Sequence, residues 1–274
     1  MITVQVPRHP KRILFNRVPK CGSSTLMDVM VQMADTHNFT FTRAKEYMRF
    51  HLDDFWMLIR RIKTEPTPVI YERHIHYFDS EKYGMERPVF INVIRDPLER
   101  MVSWYYFRRY QDGHERQLPI EQRTFDECVL GNHSECMEHG GAKAEEGFFK
   151  IIPFFCGQEE FCREPTKEAL VQAIKNVKKH YLVVGVLEDF EGFIEVLEFL
   201  LPDYFQGAQE VYTKQGRDLK DRHKTTYKLP VSEQTEQIMR ARLFKEYQFY
   251  MFVQKRFRRM LEAVRAAKLE TMTT

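Results

Sequence analysis

The sequence has few cysteines, no long apolar run and no strong excess of either charge. Five of its 274 residues are cysteine, and 42 Lys and Arg against 39 Asp and Glu give a formal net charge of +3. This balance excludes a protein that coats nucleic acid through bulk charge, so an anionic ligand must meet a local cluster of basic side chains. No apolar stretch approaches the roughly 18 residues that cross a bilayer, and residues 1–10 lack the apolar core of a signal peptide. The sequence therefore predicts a soluble chain, compatible with the lumenal part of a longer anchored protein.

Internal repeats and low-complexity tracts are also absent, and apolar runs alternate with amphipathic segments. The apolar runs predict strands at 13–18, 68–78, 87–97 and 181–188. The amphipathic segments predict helices at 24–37, 51–62, 98–110, 166–180, 190–202 and 232–266. Alternation of strand and helix favours an α/β fold with a central parallel sheet flanked by helices. We expect one domain over residues 1–274, with an irregular cysteine-bearing region at about 111–165.

Four of the cysteines form two close pairs, Cys128 with Cys136 and Cys156 with Cys162. Each pair is compatible with a disulfide, with reduced thiols, or with a zinc site completed by His133 or another histidine. Neither pair has the C-x-x-C spacing typical of zinc ligands. Asn38 and Asn132 begin N-glycosylation sequons. Cysteine usage and sequons together favour an oxidising compartment.

The hexapeptide KCGSST, residues 20–25, lies between the first predicted strand and the first predicted helix. Backbone N–H groups and the positive end of a helix meet at such a turn, which suits a phosphate or sulfate group. Lys20 adds a positive charge, and Ser23, Ser24 and Thr25 add hydroxyl donors. The nucleotide triphosphatase pattern G-x-x-x-x-G-K-[ST] does not fit, because here the lysine precedes a single glycine. The alternative is a plain strand-to-helix turn capped by Ser or Thr.

A second basic position follows the strand at 87–97. Arg95 lies just past the buried run VFINVI, where α/β proteins keep their ligands, and Ser103 lies about two turns into the next helix. A guanidinium and a hydroxyl that converge on a second phosphate would favour a nucleotide with two separated anionic groups. The alternative is an ion pair between Arg95 and Asp96.

These segments resemble a known family. NRVPKCGSST followed by INVIRDPLERMVSWYYFRR is similar to the 5′-phosphosulfate loop and 3′-phosphate motif of Golgi sulfotransferases that use 3′-phosphoadenosine 5′-phosphosulfate (PAPS). RHIHYFDSEKYG, TFDECV, IIPFFCGQEEFCREP and YLVVGVLEDFEGFIEVLE resemble the glycosaminoglycan uronyl 2-O-sulfotransferases, of the heparan type and the chondroitin/dermatan type. The resemblance runs from about Arg12 to Phe257. KCG, RHIH and CREP are closer to the chondroitin/dermatan type, whereas NRVPK and NVIRDP are shared or lean toward the heparan type, so the substrate assignment stays open.

The resemblance implies roles for individual residues. Lys20 would stabilise charge on the bridging oxygen of the donor, and Arg95 with Ser103 would hold its 3′-phosphate. The residues implied to contact the donor are Lys20, Cys21, Gly22, Ser23, Ser24, Thr25, Arg95, Ser103, Lys224, Thr225 and Thr226. The two cysteine pairs match disulfides of the family. Cys21 is expected to be an unpaired residue in a tight loop and not a nucleophile.

His74 matches the catalytic histidine of the family and is assigned as the general base for a sugar hydroxyl. Strand alternation would put His76 on the same face, as a neighbour in the site. The heparan type has a second histidine two positions before the base, and this chain has Glu72 there. A two-histidine mechanism therefore does not carry over.

A polyanionic acceptor requires basic side chains near the base. We predict that it is contacted by Arg17, Glu72, Arg73, Arg108, Arg109, Arg116 and Arg123. Sulfuryl transfer needs positioning and charge stabilisation, and no carboxylate cluster suggests magnesium, so we predict no metal.

The expected partner is a glycosaminoglycan chain, with no role for nucleic acid. The resemblance implies residence in the Golgi lumen, a native type II membrane protein whose anchor is absent from this sequence, and a tendency to form a homotrimer. Two alternatives remain at this point: a P-loop nucleotide kinase, and a non-catalytic glycosaminoglycan-binding protein of the same fold.

Overall fold

A single sheet of five parallel strands forms the centre of the molecule. In this computed structural model, residues 9–44, 52–110, 123–133, 136, 150–214, 224–225 and 228–272 are described. The strand order is β2-β3-β1-β4-β5, and every pairing is parallel. The strands are β1 Arg12–Phe15, β2 Thr40–Arg43, β3 Val69–Glu72, β4 Val89–Ile94 and β5 Tyr181–Val186. The predicted α/β class is confirmed.

Helices follow the strands and cover both faces of the sheet. They are α1 Ser23–His37, α2 Leu52–Thr64, α3 Pro97–Tyr110, α4 Phe125–Leu130, α5 Ile151–Cys156, α6 Lys167–His180, α7 Phe190–Leu200, α8 Pro202–Phe205, α9 Glu233–Arg242 and α10 Phe244–Met272. Residues 208–214 are also helical.

The core lies on both sides of β1, β4 and β5. β4 reads VFINVI and is buried over its last five residues, as expected for a parallel strand covered on both faces. Gly185 in β5 lets α7 pack directly on the sheet, because a Cβ atom there would lie 2.3 Å from Cδ2 of Phe193. A second apolar cluster joins α3, α4 and α9 through Val102, Phe125 and Met239.

Strand order decides which loops meet. β1 pairs with β3 on one side, with Phe15 opposite Glu72, and with β4 on the other, with Phe15 opposite Ile91. Because parallel strands end at the same edge, the chain after β1, β3 and β4 emerges at one place. Lys20, His74 and Arg95 all lie in these three segments.

Both predicted disulfides are present, Cys128–Cys136 and Cys156–Cys162. The disulfides exclude the zinc alternative for these pairs, and no group of three or more metal-ligating side chains occurs in the described part of the chain. Cys21 is unpaired and buried, as predicted. None of the helices in the described ranges is both long enough and apolar enough to span a membrane.

Most predicted elements are confirmed, with several differences, among them the short helices α4, α5 and α8, which were not predicted. The strand predicted at 68–78 ends at Glu72, so His74 and His76 do not share a strand face. The helix predicted at 232–266 is two helices that meet at Leu243. β2 was not predicted. The irregular region was expected at about 111–165; residues 111–122, 134–135 and 137–149 lie outside the described residues.

Candidate active site

The turn between β1 and α1 carries the predicted anion site. Lys20 and Gly22 both adopt positive φ, 62° and 76°, which folds the chain tightly before the helix. Gly22 is the N-cap of α1, and a Cβ atom there would lie 2.4 Å from Cδ1 of Leu187. Glycine is therefore required both by the left-handed backbone and by the close approach of Leu187. Among the described residues no side chain caps the start of this 15-residue helix.

Two of the three hydroxyl side chains of the same turn are buried. Ser23 and Thr25 are buried, and Ser24 is partly exposed. The ammonium of Lys20 lies 3.8 Å from the ring centroid of Phe107 in α3, a cation–π contact that holds the lysine toward α3. Burial raises the pKa of Cys21 to about 12, so its sulfur is a protonated thiol and a poor nucleophile.

Arg95 lies just before α3, and Ser103 lies within that helix. Arg95 donates to Glu99 over 2.9 Å, and Glu99 also accepts from Lys228. The ion pair proposed as an alternative for Arg95 is therefore with Glu99 rather than Asp96. Ser103 and Thr225 share a hydroxyl hydrogen bond of 2.9 Å, and both are buried. Thr225 and Lys228 thus contact α3 beside the second predicted phosphate position.

A hydrogen-bond network that the sequence did not reveal supports the Arg95 turn. Asp96 accepts from the backbone N–H of Glu99 and from the hydroxyl of Tyr247, both over 3.0 Å. Glu188 accepts from the backbone N–H of Asp96 over 2.8 Å and from the hydroxyl of Tyr250 over 2.9 Å. The C-terminal helix α10 therefore fixes the turn that carries Arg95.

His74 is buried just beyond the end of β3 and has a defined tautomer. Its Nδ1 lies 3.0 Å from the carbonyl oxygen of Arg17. A carbonyl can only accept, so Nδ1 carries the hydrogen and the lone pair is on Nε2. Burial, reinforced by the charge of Arg17, lowers the pKa of His74 to about 3. The imidazole is therefore neutral at physiological pH, the state that a general base needs.

Glu72 lies two residues before His74, completely buried among three arginines. Its Oε1 forms an ion pair with Nε of Arg17, and its Oε2 lies 3.9 Å from Nε of Arg43. Burial raises the pKa of Glu72, and the charges of Arg17, Arg43 and Arg73 oppose that rise. Glu72 has no exposed surface, and its predicted contact with the substrate stays a prediction.

Asn16 ties the three segments of the site together, another contact that the sequence did not reveal. Its Nδ2 donates to the carbonyls of Ile75 and Phe154 over 3.3 and 3.2 Å. Its side-chain oxygen accepts from Asn92 and from Tyr181, each over 3.0 Å. Asn16 is itself fully buried. The segments after β1 and β3 are thereby fixed to β4 and β5.

The other predicted site residues are less central or lie outside the described residues. His76 is half-buried, with its ring 5.0 Å from that of Phe154. Arg17 and Arg73 are buried near His74, whereas Arg123 is half-buried next to α4 and Lys224 is exposed. Residues outside the description are Arg116 and Thr226, and the side chains of Arg108 and Arg109.

Both predicted glycosylation residues are exposed. Asn38 follows the end of α1 and Asn132 follows α4. Their positions are compatible with modification, which stays a prediction.

Comparison with known proteins gives four results. The sequence matches the sulfotransferase family over residues 4–253. It is 35% identical to human uronyl 2-sulfotransferase over 261 residues, covering 90% of this chain and 63% of that protein. It is also 35% identical to chicken heparan sulfate 2-O-sulfotransferase 1 over 257 residues, covering 89% of this chain and 70% of that protein. A crystal structure of a mouse sulfotransferase complexed with PAP aligns with 88% of this chain at a TM-score of 0.40 and 13% identity.

Proposed function

Because this chain belongs to the sulfotransferase family, we propose that it transfers a sulfuryl group from PAPS to the 2-hydroxyl of a uronic acid in a glycosaminoglycan. The observation that carries the proposal is the link between His74 and the donor turn. The backbone carbonyl that holds the Nδ1–H of His74 belongs to Arg17, three residues before Lys20. A neutral base and a positively charged anion-binding turn are thus parts of one rigid unit.

The donor turn has the chemistry that a phosphosulfate requires. The start of α1 presents backbone N–H groups and the positive end of the helix dipole, and Gly22 leaves no side chain in the way. Lys20 adds a full charge to stabilise the phosphate oxygen from which the sulfuryl group departs. Arg95 and Ser103 are proposed to bind the 3′-phosphate, with Thr225 beside them.

The reaction uses His74 to remove the acceptor proton. As the S–O bond to the donor phosphate breaks and an S–O bond to the sugar oxygen forms, the hydroxyl proton passes to Nε2 of His74. The other product is adenosine 3′,5′-bisphosphate (PAP). Burial and, after it, the charge of Arg17 lower the proton affinity of His74, and an incoming anionic substrate would raise it again by partly neutralising that charge.

Arg17 and Arg73 are the proposed contacts for the acceptor, because the charge of Arg17 acts on His74 and Arg73 directly precedes His74 in the chain. A uronate carries a carboxylate close to the reacting hydroxyl, and arginine binds carboxylates in a planar, directional way. We favour chondroitin or dermatan sulfate as the polymer from the KCG, RHIH and CREP segments. The identities to the two kinds of relative are equal at 35%, so the heparan type is the alternative.

Golgi location, a homotrimeric assembly and a single catalytic domain are part of the same proposal. The two disulfides are consistent with an oxidising compartment. The Golgi location and the homotrimer are inferred from relatives that are longer than this chain, which spans 63% of the human protein.

The proposal is tested by sulfate transfer from labelled PAPS to desulfated heparosan-derived, chondroitin and dermatan chains, followed by disaccharide analysis. We expect 2-O-sulfated uronate, and losses of at least 100-fold in rate for His74→Ala and Lys20→Ala. His37→Ala is the control, because His37 lies at the far end of α1, bonded to the carbonyl of Gln206.

Other outcomes would name other functions. Tight binding of PAP and of the polymers without transfer would identify a non-catalytic glycosaminoglycan-binding protein. Metal-dependent phosphate transfer from ATP would identify a kinase.

A further inference from the structure

The buried carboxylate of Glu72 has a place in the site that the proposed reaction does not yet use. Glu72 is the last residue of β3, the strand between β1 and β2, and it pairs with Phe15 on one side and Arg43 on the other. Two residues beyond Phe15 the chain reaches Arg17, whose guanidinium forms an ion pair with the Glu72 carboxylate. The Arg17 and Glu72 side chains are 7% and 1% exposed, so water screens this pair very little.

Arg17 links Glu72 to His74 through two of its contacts. Its side chain meets Glu72, and its backbone carbonyl accepts the Nδ1–H of His74 over 3.0 Å. A rotation of the Arg17 backbone would move the carbonyl away from Nδ1 and leave the two tautomers of His74 closer in energy. The anchor on the Arg17 side chain opposes that rotation.

Glu72 also limits the positive charge around the base. The positive charges of Arg17, Arg43 and Arg73 oppose the rise in the pKa of Glu72 that burial causes. Those of Arg17 and Arg43 add to the effect of burial in lowering the pKa of His74. Without the carboxylate, these guanidinium groups would repel one another and repel a protonated His74 more strongly. His74 must become protonated during transfer, so a nearby negative charge favours the step.

In a proposal that rests on the proposed function, we propose that Glu72 is a positioning residue: through Arg17 it holds His74 in the Nδ1–H tautomer and keeps the Arg17 guanidinium in a fixed position beside His74. Glu72 itself contacts no substrate. Glu72 has a fixed location in the sheet, since it pairs with residues of both neighbouring strands and its carbonyl accepts from the N–H of Ala44.

The test is the variant Glu72→Gln, which keeps the shape of the side chain and removes its charge. We expect ¹⁵N NMR of histidine-labelled protein to show a mixture of His74 tautomers in the variant, with a single Nδ1–H form in the unchanged protein. His74→Ala assigns the signal. The single-turnover rate should fall at least tenfold and the acceptor KM should rise, whereas the affinity for PAP should change less than threefold.

Glu246→Gln is the matched control. Glu246 is also a buried glutamate near an arginine, but it accepts from the backbone N–H groups of Ile151 and Ile152 at the start of α5. Its loss should weaken the fold without changing the tautomer of His74. If Glu72→Gln is likewise destabilised but keeps a single tautomer and its transfer rate, the pair is only structural and the inference is wrong.

Two further comparisons keep the outcome clear. If Glu72→Gln does not fold, the double variant Arg17→Met with Glu72→Met removes both charges and leaves the carbonyl of residue 17 in place; an unchanged tautomer and rate there would also overturn the inference. The NMR result does not depend on activity. An inactive unchanged protein would therefore count against the proposed reaction, and the tautomer comparison would still decide the role of Glu72.

Discussion

At the scale of single residues, the site depends on charges that the fold keeps out of water. Replacing one member of a buried ion pair leaves the other charge buried and uncompensated, which typically costs about 3–5 kcal/mol. Arg17 with Glu72 is such a pair, and the backbone carbonyl of Arg17 is hydrogen-bonded to His74, the proposed base. Stability and reactivity at these positions are therefore coupled.

His74 should make the stability of the protein depend on pH. Its folded pKa of about 3 is below the ordinary value of 6.5, so in mild acid the unfolded chain binds a proton that the folded chain does not. The folded state is therefore favoured above pH 6.5 and loses up to about 1.4 kcal/mol per pH unit as the pH falls from about 6.5 toward 3.

This effect is measured by urea unfolding of the unchanged protein and of His74→Gln at pH 7.5, 6.0 and 5.0. The difference between the two isolates His74, because other titrating groups contribute to both. We expect the unchanged protein to lose stability relative to the variant on acidification. A difference that does not vary with pH would contradict the burial of His74 in solution.

The core motifs of the site were predictable at this scale, but their partners were not. Lys20, His74, Arg95 and Ser103 lie in short segments whose residue order carries the signal. The partners of Asp96 and Glu188 are tyrosines of α10, 151 and 62 positions away in sequence. Contacts over such separations leave no local pattern.

At the scale of elements, α10 acts as a support for the turn between β4 and α3. Tyr247 bonds to Asp96, and Tyr250 bonds to Glu188, which itself bonds to the backbone of Asp96. The turn holds Arg95, the proposed ligand of the 3′-phosphate. Donor affinity should therefore depend on a helix that need not touch the donor.

The double variant Tyr247→Phe with Tyr250→Phe tests this support. Each lost hydrogen bond is worth about 0.5–1.5 kcal/mol, and we expect the affinity for PAP, measured by calorimetry, to fall about three- to tenfold. Tyr204→Phe is the control, because the hydroxyl of Tyr204 bonds to the carbonyl of Pro10 at the opposite edge of the sheet. Equal PAP affinity in the double variant and the unchanged protein would show that the turn keeps its conformation without these two hydrogen bonds.

Element boundaries show where local sequence gives misleading signals. Residues 74–77 alternate histidine with Ile75 and Tyr77, as a strand would, yet the backbone N–H of Tyr77 donates to Phe154 and the carbonyl of Ile75 accepts from Asn16. β2 is short, polar and half-exposed at the sheet edge, so it has little hydrophobic pattern. The break at Leu243 has no glycine or proline to mark it. In each case the decisive contacts are tertiary.

At the scale of the whole molecule, the disulfides secure parts of the chain outside the sheet. Cys128–Cys136 joins α4 to the segment after it, and Cys156–Cys162 joins the end of α5 to the segment before α6. The parallel sheet was predictable because four of its five strands read as apolar runs between helices. The two disulfides outside the sheet were not predictable from cysteine spacing alone, because that spacing is also compatible with reduced thiols or a zinc site.

Replacing Cys128 and Cys136 by serine should destabilise the fold without changing the site directly. A loop closed over 8 residues is expected to contribute about 2–3 kcal/mol by restricting the unfolded chain. Urea unfolding should show a lower midpoint, and PAP should still bind with similar affinity to the variant at low temperature. A midpoint unchanged from that of the oxidised protein would show that the second apolar cluster holds α4 without the bond.

The hydrogen bonds of Asn16 have a consequence for the rate at which a ligand is captured. Asn16 begins the donor turn, and its links to Ile75, Phe154, Asn92 and Tyr181 form when the sheet forms. The conformational entropy of ordering this turn is thus lost during folding and not during ligand binding. Amide hydrogens near Asn16 should exchange with solvent as slowly as those of the central strands, and capture of the nucleotide should proceed without a slow rearrangement of the turn.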